Sequence, residues 1–389
     1  MLRDFFIFLS DNAFARRLSL TAPGARTMSR RFVAGETIDD GLNAARDLVA
    51  SGFFVSLDYL GESVRTRAEA VAAADTYITL LERIASDPDL REKVNVSLKL
   101  TQMGQDVRLS QREHEGGGGV DGVGRGGSRG GSSGVSSGGS GGGGGASGAA
   151  IAAENSASRS LWPRPPKHAT PENRSDWDEE FLRGNVIRVL DVARGHDLFV
   201  RFDMEGTPHT QRTLDFFRYL WEKGYRNTGI VLQSYLRRSE HDATEANLLG
   251  ARVRLCKGAY NEPEEHAFQP KAEVDRNFID IMKRLLSDGN YPGIATHDPA
   301  MLRATREYSA GHELPPSGWE FQMLYGIARD LQNQLITEGY NLRVYVPFGE
   351  AWYPYLMRRM AERPANAMFV VNAVLRESPF RFLFGRKAH

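Results

Sequence analysis

The chain has 389 residues, and its 49 Lys plus Arg balance its 49 Asp plus Glu, so no net positive field exists to hold nucleic acid by counterion release. One cysteine, Cys256, excludes an internal disulfide framework and any multi-cysteine zinc site, and it points to a reducing compartment. Of the 40 glycines, 19 lie between residues 116 and 150 with seven serines; the rest of the chain has ordinary glycine usage and enough Leu, Val, Ile, Phe and Tyr for a large core.

Residues 1–50 are mixed and locally basic, and they read as an N-terminal helical arm. The apolar run Phe5 to Leu9 follows Asp4 and is far too short to span a membrane, so neither a transmembrane helix nor a cleaved signal is expected. From Gly52 onward short apolar runs alternate with helical stretches. Phe53–Leu57 reads as a strand, Arg65–Ile84 as a helix, Val94–Leu98 as a strand, Phe181–Ala193 as a helix and Leu198–Phe202 as a strand. A helix at Gln211–Trp221, a strand at Gly229–Leu232, a helix at Tyr235–Leu249 and a strand at Arg252–Leu255 follow. Then come a helix at Val274–Leu286, a strand at Pro292–Ala295 and a helix at Ala300–Tyr308. The strand Trp319–Met323, a helix near Ile327–Leu335, the strand Leu342–Val346 and a helix at Trp352–Ala361 complete the series. Strands this short, separated by amphipathic helices, imply a parallel sheet, and eight such units fit an α/β (β/α)8 barrel. An open doubly wound sheet is the rival, but no GxGxxG follows any strand. The barrel is expected over 51–375, with 376–389 as a tail. It is interrupted after the second strand by a Gly/Ser-rich and then Pro-rich insertion at 105–173, whose composition cannot bury enough apolar surface to order itself.

Side chains at the C-terminal ends of barrel strands surround the active-site mouth. Lys99 ends the second strand, Asp203 the third, and Tyr345 the eighth; Gln233 follows the fourth; Arg254 and Lys257 close the fifth; His297 follows the sixth; and Gln322 lies on the seventh. Any one of these could be a solvated terminus, but their convergence predicts a pocket with cationic and hydrogen-bonding walls. Arg254, Lys257 and the adjacent Gly258 suit an anionic ligand, the glycine allowing close backbone approach. His297 has no partner at metal spacing, so no metal is expected. Cys256 reads as a small buried residue. Tyr355, Arg358, Arg359 and Glu362 fall on one helix face, where paired guanidinium groups suit a small carboxylate, although a solvated charged face has the same pattern.

The stretches Val96–Gln102, Phe202–Glu205, Val231–Tyr235, Arg254–Tyr260, Ala295–His297, Phe321–Gly326 and Arg343–Gly349 running into Tyr355–Arg359, in that order, resemble the proline dehydrogenase family. That resemblance implies a distorted (β/α)8 barrel holding FAD noncovalently at its mouth. It implies oxidation of L-proline to 1-pyrroline-5-carboxylate by hydride transfer, with electrons passed to a membrane quinone and a peripheral contact with the membrane. In the family, residues matching Gln233, Arg254, Cys256, Lys257, Gly258, Thr296, His297 and Glu362 serve the cofactor. Those matching Lys99, Arg358 and Arg359 bind the substrate carboxylate, and those matching Asp203, Tyr260, Leu324, Tyr345 and Tyr355 shape the pocket around the ring. No residue is assigned as an acid or base. The chain stops soon after the last helix, as the single-function members do. The location implied is the cytoplasm, at the inner membrane surface, or the mitochondrion in a eukaryote. A flavin barrel of the methylenetetrahydrofolate reductase type, or a binding barrel without turnover, is the alternative.

Overall fold

Runs such as Val94-Asn95-Val96-Ser97-Leu98 carry aliphatic side chains on one face, and that face must be covered by helices to leave water. The computed structural model describes residues 30–61, 64–108 and 177–362, with the backbone alone over 358–362. Its strands are β1 (Phe54–Tyr59), β2 (Val94–Leu98), β3 (Val200–Phe202), β4 (Thr228–Gln233), β5 (Arg252–Cys256), β6 (Gly293–Ala295), β7 (Glu320–Leu324) and β8 (Leu342–Phe348). They pair in chain order and close into a barrel, β8 running parallel to β1 from Phe54 opposite Arg343 to Tyr59 opposite Phe348. The (β/α)8 barrel is therefore the observed fold.

Helix α1 (Ile38–Ala50) precedes β1. After the eight strands in turn come α2 (Arg67–Ala85), α3 (Glu179–Gly195), α4 (Thr207–Glu222), α5 (Ser239–Leu249), α6 (Lys271–Asp288), α7 (Pro299–Gly311), α8 (Arg329–Thr337) and α9 (Trp352–Glu362). Reciprocal capping boxes start α1 at Thr37 with Asp40, and α2 at Thr66 with Glu69. Asp178 caps α3, and Asp298 caps α7 just before Pro299.

Several boundaries move by a few residues from the sequence reading, and two of them have a clear cause. The helix expected from Tyr235 begins at Ser239, because the Tyr235 amide donates to the Lys257 carbonyl at 2.9 Å and its carbonyl accepts from Phe268 at 2.8 Å. Those bonds commit its backbone to the loop after β5. Strand β8 also continues past its expected end at Val346 to Phe348. Pro347 is tolerated there because β7 has ended opposite Tyr345, leaving β8 a strand neighbour on the β1 side only.

The barrel is distorted at its seam. The outer face of β8 and β1 is covered by α1, whose Gly41 lies so close to the Phe348 ring that a Cβ would sit 3.0 Å from it. Helix α9 instead packs Trp352, Tyr353, Tyr355, Leu356 and Met357 into a separate apolar cluster with Phe32, Val33, Leu60 and Ile327. Leu60 directly follows β1 and Leu324, packed against the same cluster, ends β7, so α9 sits at the C-terminal mouth. Among the described residues no helix is long and apolar enough to cross a membrane.

Most of the Gly/Ser-rich insertion lies outside the described residues, but its two ends are pinned together. Arg108 and Trp177 form an antiparallel bridge, the Asp178 amide donates to the Val107 carbonyl at 3.0 Å, and Arg67 pairs with Asp178 at 2.5 Å. Because the chain leaves and returns at one point, replacing residues 112–160 with a short Gly/Ser linker is expected to leave the barrel intact. Loop-closure entropy changes slowly with length, so stability should rise by about 1–2 kcal/mol at most. Comparing the thermal midpoints of the shortened and full chains checks this; a lower midpoint would show that the insertion packs on the barrel.

Candidate active site

Alternation along each strand sends every second side chain into the barrel. The outward set is apolar: Val55 and Leu57, Val96 and Leu98, Val200 and Phe202, Val253 and Leu255, Phe321 and Met323, Val344 and Val346 are all buried. The intervening residues are Ser56 and Asp58, Ser97, Arg201 and Asp203, Arg254, Glu320 and Gln322, Arg343 and Tyr345. Sequence reasoning expected polar side chains at the strand ends; on these six strands the structure carries them down into the interior, while β4 and β6 turn in Gly229, Val231, Gly293 and Ala295.

At the bottom, Arg343 Nε donates to Glu320 Oε1 at 2.7 Å and its Nη1 to the Val55 carbonyl at 2.8 Å. Arg201 donates to the carbonyls of Arg252 and Ile230 at 2.7 and 3.1 Å. Burial pushes the Glu320 carboxyl up, but the Arg343 and Arg201 guanidinium groups more than offset it and hold the group below its ordinary value. Gln322 then links the layers, donating to Glu320 Oε1 at 2.6 Å and accepting from Arg254 Nε. Room for that amide comes from Gly293 on β6, where a Cβ would meet Gln322 Nε2 at 2.3 Å. Arg254 also donates to Asp203 at 2.7 Å and to Ser97 and Ser56 at 3.1 and 3.3 Å. Asp203 accepts the Tyr345 hydroxyl at 2.6 Å through its other oxygen. Arg254 is thus fixed from four sides, just beneath the mouth.

At the mouth Lys99 donates to both oxygens of Asp58, at 3.0 and 3.2 Å, and stands 4.0 Å from Asp203. Asp58 is the functional candidate that the sequence reading missed. Its signal was a charged residue in phase with Ser56 on an otherwise apolar strand. Burial pushes its carboxyl up to about 6, against the pull of Lys99 and with a further push from Asp203. Burial beside Asp203 and Asp58 likewise raises the Tyr345 phenol far above its usual value.

The ends of β4, β5 and β6 form the other half of the rim. Gln233 donates to the Glu205 carbonyl at 3.1 Å, and the Glu205 carboxylate accepts the Thr101 hydroxyl at 2.9 Å. Lys257 bridges Asp275 and Asp298, the latter at 2.7 Å. Thr296 accepts the Asp298 amide at 3.0 Å. His297 Nε2 accepts the Leu324 amide at 3.0 Å, which puts the proton of a neutral ring on Nδ1. Cys256 is half-buried rather than buried, its thiol 3.6 Å from the Leu232 carbonyl. Gly258 has φ +109°, and a Cβ there would meet the Tyr235 ring at 2.2 Å, so internal packing already requires this glycine. Leu324 and Tyr260 are half-buried, and Tyr355 is buried in the α9 cluster. Arg358, Arg359 and Glu362 belong to α9, but their side chains lie outside the described residues. Among the described residues no group of His, Cys, Asp and Glu could hold a metal.

A family model described as proline dehydrogenase matches residues 41–372, a span that holds every one of these positions. The chain belongs to the proline dehydrogenase family. It is 32% identical over 377 residues to "Proline dehydrogenase 1" of Bacillus subtilis, covering 97% of this chain and 100% of that one. It is 33% identical over 350 residues to "Proline dehydrogenase" of Deinococcus radiodurans, covering 90% of each. Among solved structures, proline utilization A of Bdellovibrio bacteriovorus, inactivated by N-propargylglycine, matches with a TM-score of 0.67 at 22% identity. That match covers 97% of this chain and 38% of the longer protein, and it shows the shared barrel fold.

For this proline dehydrogenase family member the lower ionic layer makes a direct prediction. Glu320→Gln leaves Arg343 and Arg201 buried without their carboxylate, and the expected loss is about 3–5 kcal/mol of stability. The folded pKa of Glu320 is depressed, so its contribution is present above the unfolded value near 4.5 and disappears as pH falls through the lower folded value. Denaturant unfolding of the two proteins at pH 7, and at successive values as the pH is lowered below 4.5, checks both; equal stabilities at pH 7 would remove Glu320 from the supporting role.

Proposed function

We propose that this chain oxidises L-proline to 1-pyrroline-5-carboxylate, with FAD held noncovalently at the barrel mouth and a membrane quinone as the final electron acceptor. The observation that carries the reading is the division of the rim into two chemically different halves joined by Arg254. Along β4, β5 and β6 lie an amide, an ammonium, a hydroxyl and an imidazole in Gln233, Lys257, Thr296 and His297. Such a set suits an extended anionic cofactor, and Gln233, Arg254, Cys256, Lys257, Gly258, Thr296, His297 and Glu362 are the residues we assign to it. Along β8, β1, β2 and β3 lie Tyr345, Asp58, Lys99 and Asp203, a compact charged pocket that suits a small amino acid.

Flavin, when bound, supplies the two-electron acceptor that no side chain provides. The chain's own task is orientation. Lys99, with Arg358 and Arg359, holds the substrate carboxylate, while Asp203, Tyr260, Leu324, Tyr345 and Tyr355 shape the space around the ring. Proline loses a hydride from a ring carbon and a proton from nitrogen, leaving a C=N bond. Arg254, buried and fixed by Asp203, Gln322 and the two serines, provides positive charge without reorganisation during the reaction. The quinone and a peripheral contact with the cytoplasmic membrane surface complete the reading.

Three measurements test it. L-proline should bleach the bound flavin of the purified full chain while folates leave it unchanged; no bleaching by proline would overturn the assignment. Arg358→Lys and Arg359→Lys should each lower kcat/KM for proline by about 2–5 kcal/mol in transition-state terms, with flavin content unchanged, because Lys cannot form the bidentate pair. Near-normal kinetics in both would remove the carboxylate role. Arg254→Met should make the flavin potential more negative by a few tens of millivolts, where about 30 mV corresponds to 1.4 kcal/mol for a two-electron couple. An unchanged potential with unchanged turnover would place Arg254 away from the ring.

A further inference from the structure

The described charges between β8 and β3 are arranged in pairs. Among the described residues Lys99 donates to Asp58 and Arg254 to Asp203. The carboxylates are not equivalent. Asp203 accepts both Arg254 and the Tyr345 hydroxyl, at 2.7 and 2.6 Å, and so belongs to the fixed floor. Asp58 is fully buried, and the bonds that reach its two oxygens from a charged partner both come from Lys99. In so dry a setting its negative charge acts well beyond contact distance.

We propose that Asp58 sets the charge selectivity of the substrate pocket, weakening the binding of a plain carboxylate relative to a carboxylate that also carries an amine. This rests on the reading of the mouth as a proline site. An arriving acid brings its own negative charge to Lys99, where Asp58 already sits, and the two anions repel. A secondary ammonium on the same ligand offsets that repulsion through its attraction to Asp58. Ring acids with and without the amine have nearly the same shape, so the difference between them reports charge and not fit. Any loosening of Lys99 on loss of Asp58 would weaken both ligands together and would cancel in their ratio.

The pocket's electrostatics give the inference a second handle. The groups facing Asp58 are Lys99 after β2, Asp203 after β3, Tyr345 on β8 and Tyr77 on α2, with Arg254 of β5 behind Asp203. Burial keeps the Tyr77 and Tyr345 phenols protonated well above neutrality. Asp58, pushed up to about 6, carries its charge at pH 7.5 and loses most of it by pH 5.5. Proline keeps its charges between those values, and the amine-free acid stays mostly ionised.

The test uses the full-length, flavin-loaded protein and two ligands, L-proline and cyclopentanecarboxylate, which replaces the ring nitrogen by carbon. Affinities are measured by calorimetry or by perturbation of the flavin spectrum, the proline titration being done with pre-reduced flavin so that no turnover occurs. Asp58→Asn is expected to raise the affinity for cyclopentanecarboxylate relative to proline about tenfold at pH 7.5. The unsubstituted protein should show a shift in the same direction between pH 7.5 and pH 5.5, and Asp58→Asn should abolish that pH dependence. A ratio that moves with neither the substitution nor pH overturns the inference even where proline bleaches the flavin. Failure of proline to reduce the flavin of the unsubstituted protein instead overturns the proline reading. The pH arm needs no variant, so the inference stays testable even if Asp58→Asn loses flavin.

Discussion

Placing a guanidinium inside a closed barrel is the constraint from which the rest of this interior follows. Arg254 enters from β5, where an unpaired charge would face a desolvation penalty of several kcal/mol. Partners therefore reach it from across the barrel and not from the adjacent β4 and β6: Asp203 after β3, Gln322 on β7, and Ser56 and Ser97 on β1 and β2. The partners impose their own demands. Gln322 needs the space left by Gly293 and spends its amide nitrogen on Glu320. Glu320 in turn needs Arg343. One charge aimed at the mouth thus fixes polar or small residues down the length of the barrel.

A barrel filled this way cannot draw much stability from its inside. Apolar burial is concentrated between the strands and the helices, where Leu57, Val96, Leu98, Phe202, Leu255, Phe321 and Val344 have no exposure or almost none. The usual apolar layers of a barrel interior are replaced by an ionic column, which gives positional precision more than free energy. This division keeps site and scaffold separable. The outer shell can hold the fold while the inner column holds charges in place.

That same division decided what could be read from the sequence. Strand positions and order were legible because the outward residues repeat in short aliphatic runs between turn signals, and Val94–Leu98 matches its expected bounds to the residue. The mouth residues Lys99, Asp203 and Arg254 were legible because strand ends in barrels carry function. Arg201, Glu320 and Arg343 were not singled out as a layer, since a charged residue inside an apolar strand does not declare which face is enclosed. Asp58 escaped for a related reason: only the fold brings the Ser56 side chain to Ser97 and that of Asp58 to Lys99. Gly258 was read as a site of ligand approach, and the Tyr235 ring supplies an internal reason for the same residue.

The displaced last helix was invisible for a different reason. An amphipathic segment such as Trp352–Glu362 shows a buried face whether it lies beside its strand or over the mouth, so periodicity cannot separate the two. What decides is competition for one groove. Helix α1 already buries Leu42, Ala45 and Val49 in the main core and holds Gly41 against Phe348, which leaves no place beside β8. The aromatic face of α9 then finds Phe32, Val33, Leu60 and Ile327, residues that flank the ends of β1 and β7 at the mouth. A helix that would have been scaffold in a regular barrel becomes part of the rim, and Tyr355 is buried there with its cluster because of where α1 sits.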